Sequence, residues 1–156
     1  MSERPTRRSF VACVALGLTC GVVPPAFAGL PVRWIEGVDA SAAGERRYPI
    51  PASDSVNIDR QAQVIVVRSG AHVFAFSLAC PHENAAVKWV EKDRRFQCTK
   101  HDSRYQADGT HISGRATRNL DRFPVRKDGA TLVVTTDVTF HSDADPNGWA
   151  AAVVDG

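Results

Sequence analysis

The chain has 156 residues, 44% of them hydrophobic and 23% charged, which suffices for one ordinary globular core and excludes collagen-like or disordered composition. Its formal charge of +2 comes from the first residues, where Arg4, Arg7 and Arg8 stand against Glu3 alone; the remainder carries sixteen basic and sixteen acidic side chains. A formally neutral domain gives no ground for a nucleic-acid partner or a strongly acidic substrate.

Residues 1–28 form the first unit. Three arginines precede an apolar run from Phe10 to Val23, followed by Pro24, Pro25 and the small-residue pattern Ala26-Phe27-Ala28, the order of a cleavable export signal. The run of about fourteen residues is short against the roughly 20 that span a bilayer, so cleavage after Ala28 is expected, with retention of residues 10–28 as a membrane anchor the alternative. The stretch Thr6-Arg7-Arg8-Ser9-Phe10-Val11 resembles the twin-arginine signal, which implies export of a folded cargo and a periplasmic location. Cys13 and Cys20 would leave with this segment, so only Cys80 and Cys98 remain in the mature chain.

Residues 29–60 show no clear period. Residues 64–67 and 72–76 are rich in β-branched and aromatic side chains and flank Ser69-Gly70, which predicts a β-hairpin. Residues 87–90 and 95–97 flank the charged turn Glu91-Lys92-Asp93. Residues 123–126 lead through Asp128-Gly129 into 131–136 as a second hairpin, with Pro124 marking a strand start or edge. Asp108-Gly109 is a further turn, and the region from Cys80 to Asn119 is expected to be mostly loop. The domain is placed at residues 29–136, with 137–156 a C-terminal tail of uncertain structure.

Cys80-Pro81-His82 and Cys98-Thr99-Lys100-His101 are two Cys-plus-His pairs separated by fifteen residues. Thiolates are soft donors for iron or zinc, and imidazole suits both, so the residue types point to a metal site and leave the metal open.

These two segments, with Phe96-Gln97 before the second, Asp102-Ser103-Arg104-Tyr105 after it, Asp108-Gly109, Gly114-Arg115-Ala116, Asn119-Leu120 and Phe123-Pro124-Val125, resemble the Rieske iron-sulfur family over residues 60–136. The resemblance implies one 2Fe-2S cluster per chain, with Cys80 and Cys98 on one iron and His82 and His101 on the other. It implies an all-β stack of small antiparallel sheets with the cluster loops at one tip, a covering loop at Gly114, Arg115, Ala116 and Thr117, and hydroxyls of Ser103 and Tyr105 placed to tune the cluster. Such centres span about −150 to +300 mV, and two hydroxyl donors suggest the upper half, because donors to sulfur stabilise the more negative reduced state.

The family's respiratory members carry two further cysteines that join the cluster loops. Ala85 and Lys100 stand there, which predicts loops held by packing alone. The resemblance further implies a single-electron carrier, either soluble or as the small subunit of an oxidoreductase, as in arsenite oxidase. It would have no catalytic site of its own, and its partner would be a c-type cytochrome or a larger oxidoreductase subunit. Pro81, Ala85, Ala86 and Ile112 are expected to make an apolar docking tip. The rivals are a membrane-anchored quinol-oxidising subunit of a cytochrome bc-like complex and a structural zinc or disulfide-bonded binding module. Asp143 to Val154 lacks the final glutamate of a calcium loop. His72, His111 and His141, and the indoles of Trp34, Trp89 and Trp149, are assigned to packing, solvent or an interface.

Overall fold

The computed structural model describes residues 30–39 and 44–156; the expected export signal lies outside them. The strands are β1 (Val32–Trp34), β2 (Val38–Asp39), β3 (Glu45–Pro49), β4 (Ser55–Asp59), β5 (Val64–Ser69), β6 (His72–Ser77), β7 (Val87–Val90), β8 (Arg95–Cys98), β9 (Arg104–Tyr105), β10 (His111–Ser113), β11 (Val125–Asp128), β12 (Thr131–Thr135) and β13 (Val154–Asp155), with a short helix α1 (Pro146–Ala151). The all-β expectation holds, and among the described residues no helix is long and apolar enough to cross a membrane.

The continuous apolar runs of β5 and β6 have a simple cause: both faces of the sheet they build are covered. That sheet runs β1-β4-β5-β6-β13, antiparallel except for the parallel pair β1 and β4. Strand side chains alternate between faces. Ile65, Val67, Phe74 and Phe76 therefore pack on one side with Val87, Trp89, Phe96 and both cysteines. Val64, Val66, Val73 and Ala75 pack on the other with Tyr48, Phe123, Leu132 and Val134. The second face is closed by the sheet β11-β12-β3-β2, and the first by β10-β9-β8-β7, which carries the candidate site.

The region without a clear period holds β1 to β4. Strand β4 is buried throughout although its residues alternate Ser-Val-Asn-Ile-Asp, because its polar side chains find partners inside. Asn57 donates to Ser55 Oγ at 3.1 Å. Asp59 accepts from Gly37 N at 2.8 Å, Tyr48 Oη at 3.0 Å and Ala62 N at 2.9 Å. Burial works against the Asp59 carboxylate, yet these donors outweigh it and hold the group below its ordinary value of 3.8.

The C-terminal segment is likewise structured. Strand β13 pairs with β6, and α1 begins at Asp145, whose side chain accepts from Gly148 N at 2.8 Å. Arg122 fastens this segment to the rest. Its buried guanidinium stacks on Trp149 at 3.6 Å and Phe74 at 4.5 Å, and donates to the Trp149 and Asp108 carbonyls at 2.9 and 2.7 Å. Among the described residues no carboxylate pairs with it, and burial pulls its pKa down to about 10.

Asp59→Ala strands three donors, a loss expected to cost about 2–3 kcal/mol in urea unfolding at neutral pH. Because the folded-state pKa is depressed, this contribution is full above 3.8 and fades as the pH falls through the lower folded value. The gap between variant and parent should therefore narrow in acid.

Candidate metal centre

The ladder between β7 and β8 sets the geometry. It pairs Val87 with Cys98 and continues one step beyond the strands, where Thr99 donates to the Ala86 carbonyl from its backbone at 3.0 Å and from its hydroxyl at 2.8 Å. The turn after Cys80 is closed by Asn84 N donating to Cys80 O at 2.9 Å and Cys80 N to Ala85 O at 2.8 Å. The turn after Cys98 is closed by Cys98 N donating to Ser103 O at 2.8 Å. Each turn contains one left-handed residue four positions after its cysteine, Asn84 at φ 54° and Asp102 at φ 55°, the types that tolerate this conformation best after glycine.

Both cysteines are free and buried, and they lie close enough to perturb each other. Burial pushes the Cys80 thiol up, opposed by Tyr105 and the His82 backbone N–H. Burial also opposes the Cys98 thiolate, but the backbone N–H groups of His101 and Lys100 outweigh it and bring that thiol below its ordinary value. The imidazoles of His82 and His101 face each other edge to face with ring centroids 5.0 Å apart. Their Nδ1 atoms are both shielded from solvent and have no hydrogen-bond partner, while 25% and 20% of the two side chains stay exposed.

Two imidazoles whose Nδ1 atoms make no hydrogen bond, beside two buried free thiols, are a donor set suited to metal. Which metal follows from their grouping. Among the described residues, donor atoms of His82, Glu83 and His101 lie within 4.8 Å of one another, and neither cysteine joins that group. A single tetrahedral zinc with bonds of roughly 2.0–2.3 Å would hold all four donors about 3.3–3.8 Å apart. A thiol pair and a separate imidazole pair fit two metal ions with two donors each, the pattern of a 2Fe-2S cluster with mixed ligands.

Comparison with known proteins agrees. The family described as the Rieske 2Fe-2S domain matches residues 45–124. The chain belongs to the Rieske family. It is 31% identical over 120 residues to the cytochrome b6-f complex iron-sulfur subunit of Chlorobaculum tepidum, covering 73% of this chain and 60% of that protein. It is 26% identical over 126 residues to the corresponding subunit of a Synechococcus strain, covering 80% and 70%. It is also similar to the plasma membrane Rieske protein of Synechocystis, at 25% identity and a TM-score of 0.43 over 58% of this chain and 85% of that one.

Around this Rieske site, the Tyr105 hydroxyl lies 3.2 Å from Cys80 Sγ. Burial and the sulfur push its phenol above the ordinary range, opposed by the Ser103 hydroxyl as a hydrogen-bond partner. Ser103 is buried and accepts from Ala116 N at 3.0 Å, so it ties the covering loop to the second turn. Gly114 turns that loop at φ 106°, where an added Cβ would meet the Ser103 Cα at 2.4 Å. Ala116 is buried in the same cluster as Cys80, Cys98 and Tyr105, whereas Arg115 and Thr117 are exposed. His111, assigned to a loop, lies in β10 with its ring 5.5 Å from that of Tyr105.

The expectation of loops held by packing alone is wrong. Besides the Thr99 bonds, Lys100 Nζ reaches Glu83 Oε2 at 2.6 Å and holds that carboxyl below its ordinary range. A hydroxyl and an opposite charge pair across the two turns were the available signals, and isolated charges in loops rarely announce their partners.

Tyr105→Phe and Ser103→Ala should each lower the midpoint potential with the cluster retained. For Tyr105 a hydrogen bond worth about 1 kcal/mol corresponds to on the order of 40 mV for one electron, read by redox titration of the visible spectrum. Gly114→Ala should lower cluster occupancy at equal protein yield, measured as iron per chain.

Proposed function

We propose that the mature chain is a periplasmic one-electron carrier, exported folded through the Arg7-Arg8 signal and cut after Ala28. It works as a soluble carrier or as the small subunit of a larger oxidoreductase, exchanging electrons with a c-type cytochrome or such a subunit. The observation that carries the electron-transfer assignment is the pair of shielded Nδ1 atoms without hydrogen bonds beside two buried free thiols.

When bound, a 2Fe-2S cluster would supply the reversible uptake of one electron. The chain's own residues would supply the rest. Cys80, Cys98, His82 and His101 hold the group; backbone N–H groups and the Tyr105 hydroxyl lie against the sulfurs and favour added negative charge; Val87, Phe96 and Leu120 exclude water around them. The partly exposed imidazoles offer the shortest route to a partner. Of the apolar residues expected at the docking tip, Ala86 is exposed and Pro81 and Ala85 are half-buried, and Ile112 is 50% exposed, which would suit short-lived redox contacts.

The Chlorobaculum and Synechococcus relatives are iron-sulfur subunits of cytochrome b6-f complexes, which supports membership of a cytochrome complex as a second arrangement, with residues 10–28 kept as an anchor and quinol as the electron donor. Intact mass and metal analysis of the exported protein separate the two. The first arrangement expects an N-terminus at Gly29, a periplasmic fraction, and iron and acid-labile sulfide at about two each per chain. An intact N-terminal segment in the membrane fraction selects the second, and zinc without sulfide rejects both. Replacing Arg7 and Arg8 together by lysine should leave the protein in the cytoplasm; unaltered export would remove the twin-arginine route.

A further inference from the structure

The two histidine-bearing turns are joined firmly only at their base, by the Thr99 bonds to Ala86. Beyond its own cysteine the first turn is held by Asn84 N donating to Cys80 O, and the second by Gln97 Nε2 to Asp102 at 2.7 Å and by Ala116 N to Ser103 Oγ, none of which crosses from one turn to the other. At their far ends the two imidazoles face each other, and among the described residues the shortest polar contact between the turns is one charge pair. Lys100, next to His101, places Nζ 2.6 Å from Oε2 of Glu83, next to His82. The same carboxylate lies 3.9 Å from His82 Nε2 and 3.7 Å from His101 Nδ1, so its charge is centred between the two imidazoles.

We propose that Glu83 and Lys100 are positioning residues that form an ionic strap across the open ends of the two turns, keeping His82 and His101 at their mutual distance and slowing release of the group they hold. The inference rests on the Rieske assignment. It concerns the rate at which one turn swings from the other, a local opening that need not involve the core. An exposed ion pair contributes little to global stability. Here both partners lie in turns whose separation is itself the opening step, so the pair's whole contribution falls on that step. Salt screens such an exposed pair, which gives the strap a signature that packing lacks.

The test uses the loaded protein in excess iron chelator, with loss of visible absorbance followed at low and high salt. Glu83→Gln and Lys100→Gln should each shorten the half-life by about two- to five-fold at low salt, the range expected for an exposed pair, and by much less at high salt. The double variant should be no worse than either single one, and exchanging the charges, Glu83→Lys with Lys100→Glu, should recover most of the loss. Parental half-lives in both single variants, or fully additive losses without recovery on charge exchange, would overturn the strap. A parent that never binds iron and sulfide would overturn the Rieske assignment instead. The strap would then be judged on the cluster-free chain by hydrogen exchange at Asn84 and Thr99, which should quicken in both single variants and would stay at the parental rate if the pair is idle.

Discussion

The structure turns on the pairing of β7 with β8 and its one-step extension from Thr99 to Ala86. That ladder brings Cys80 and Cys98, eighteen positions apart in the numbering, to one buried place and fixes where the two turns leave the sheet. Burying two thiols that must become thiolates is unfavourable by itself. The cost is offset by donors that the turns supply, from the backbone of His82, Lys100 and His101 and from the Tyr105 hydroxyl. The same turns hold the imidazoles with Nδ1 shielded from water and without a hydrogen bond, that of His101 lying 3.7 Å from the Glu83 carboxylate.

The rest of the fold supports this arrangement. A central sheet buried on both faces gives the site sheet a rigid floor through Phe76 and Phe96, whose rings meet edge to face at 6.1 Å. The covering loop is pinned from the opposite side by Ser103 and Ala116. Further out, Arg122 joins the Asp108 turn to the C-terminal helix, so the tail that closes the fold also braces the loop leading to His111.

The hairpin of β5 and β6, the pairs β7 with β8 and β11 with β12, and the gathering of Cys80 with Cys98 and of His82 with His101 were legible in the sequence. Their signals are local: apolar runs bounded by turns, and cysteine and histidine at close spacing. Strands β1 to β4 were not. Strand β3 mixes charged residues on a half-covered sheet, and the short alternation of β4 reads as a strand with one wet face, whereas its Asn57 and Asp59 are buried against partners in neighbouring segments. The tail was missed for a related reason, since α1 is short and gains its place from Trp149 stacking on Arg122. The bonds between the two turns depend on a register that no single segment reveals. The export segment, 1–28, lies outside the described residues, and its assignment stays with the arginine pair and the small residues before Gly29.

In the proposed centre Cys80 and Cys98 share one iron and His82 and His101 the other. Pulsed electron paramagnetic resonance of the reduced protein, carrying isotope-labelled histidine, tests it most directly. The account predicts nitrogen couplings from two histidines on the iron-sulfur signal, with one of them lost in each of His82→Cys and His101→Cys. An iron-sulfur signal without histidine coupling, or a protein that reconstitutes only with zinc, would contradict it.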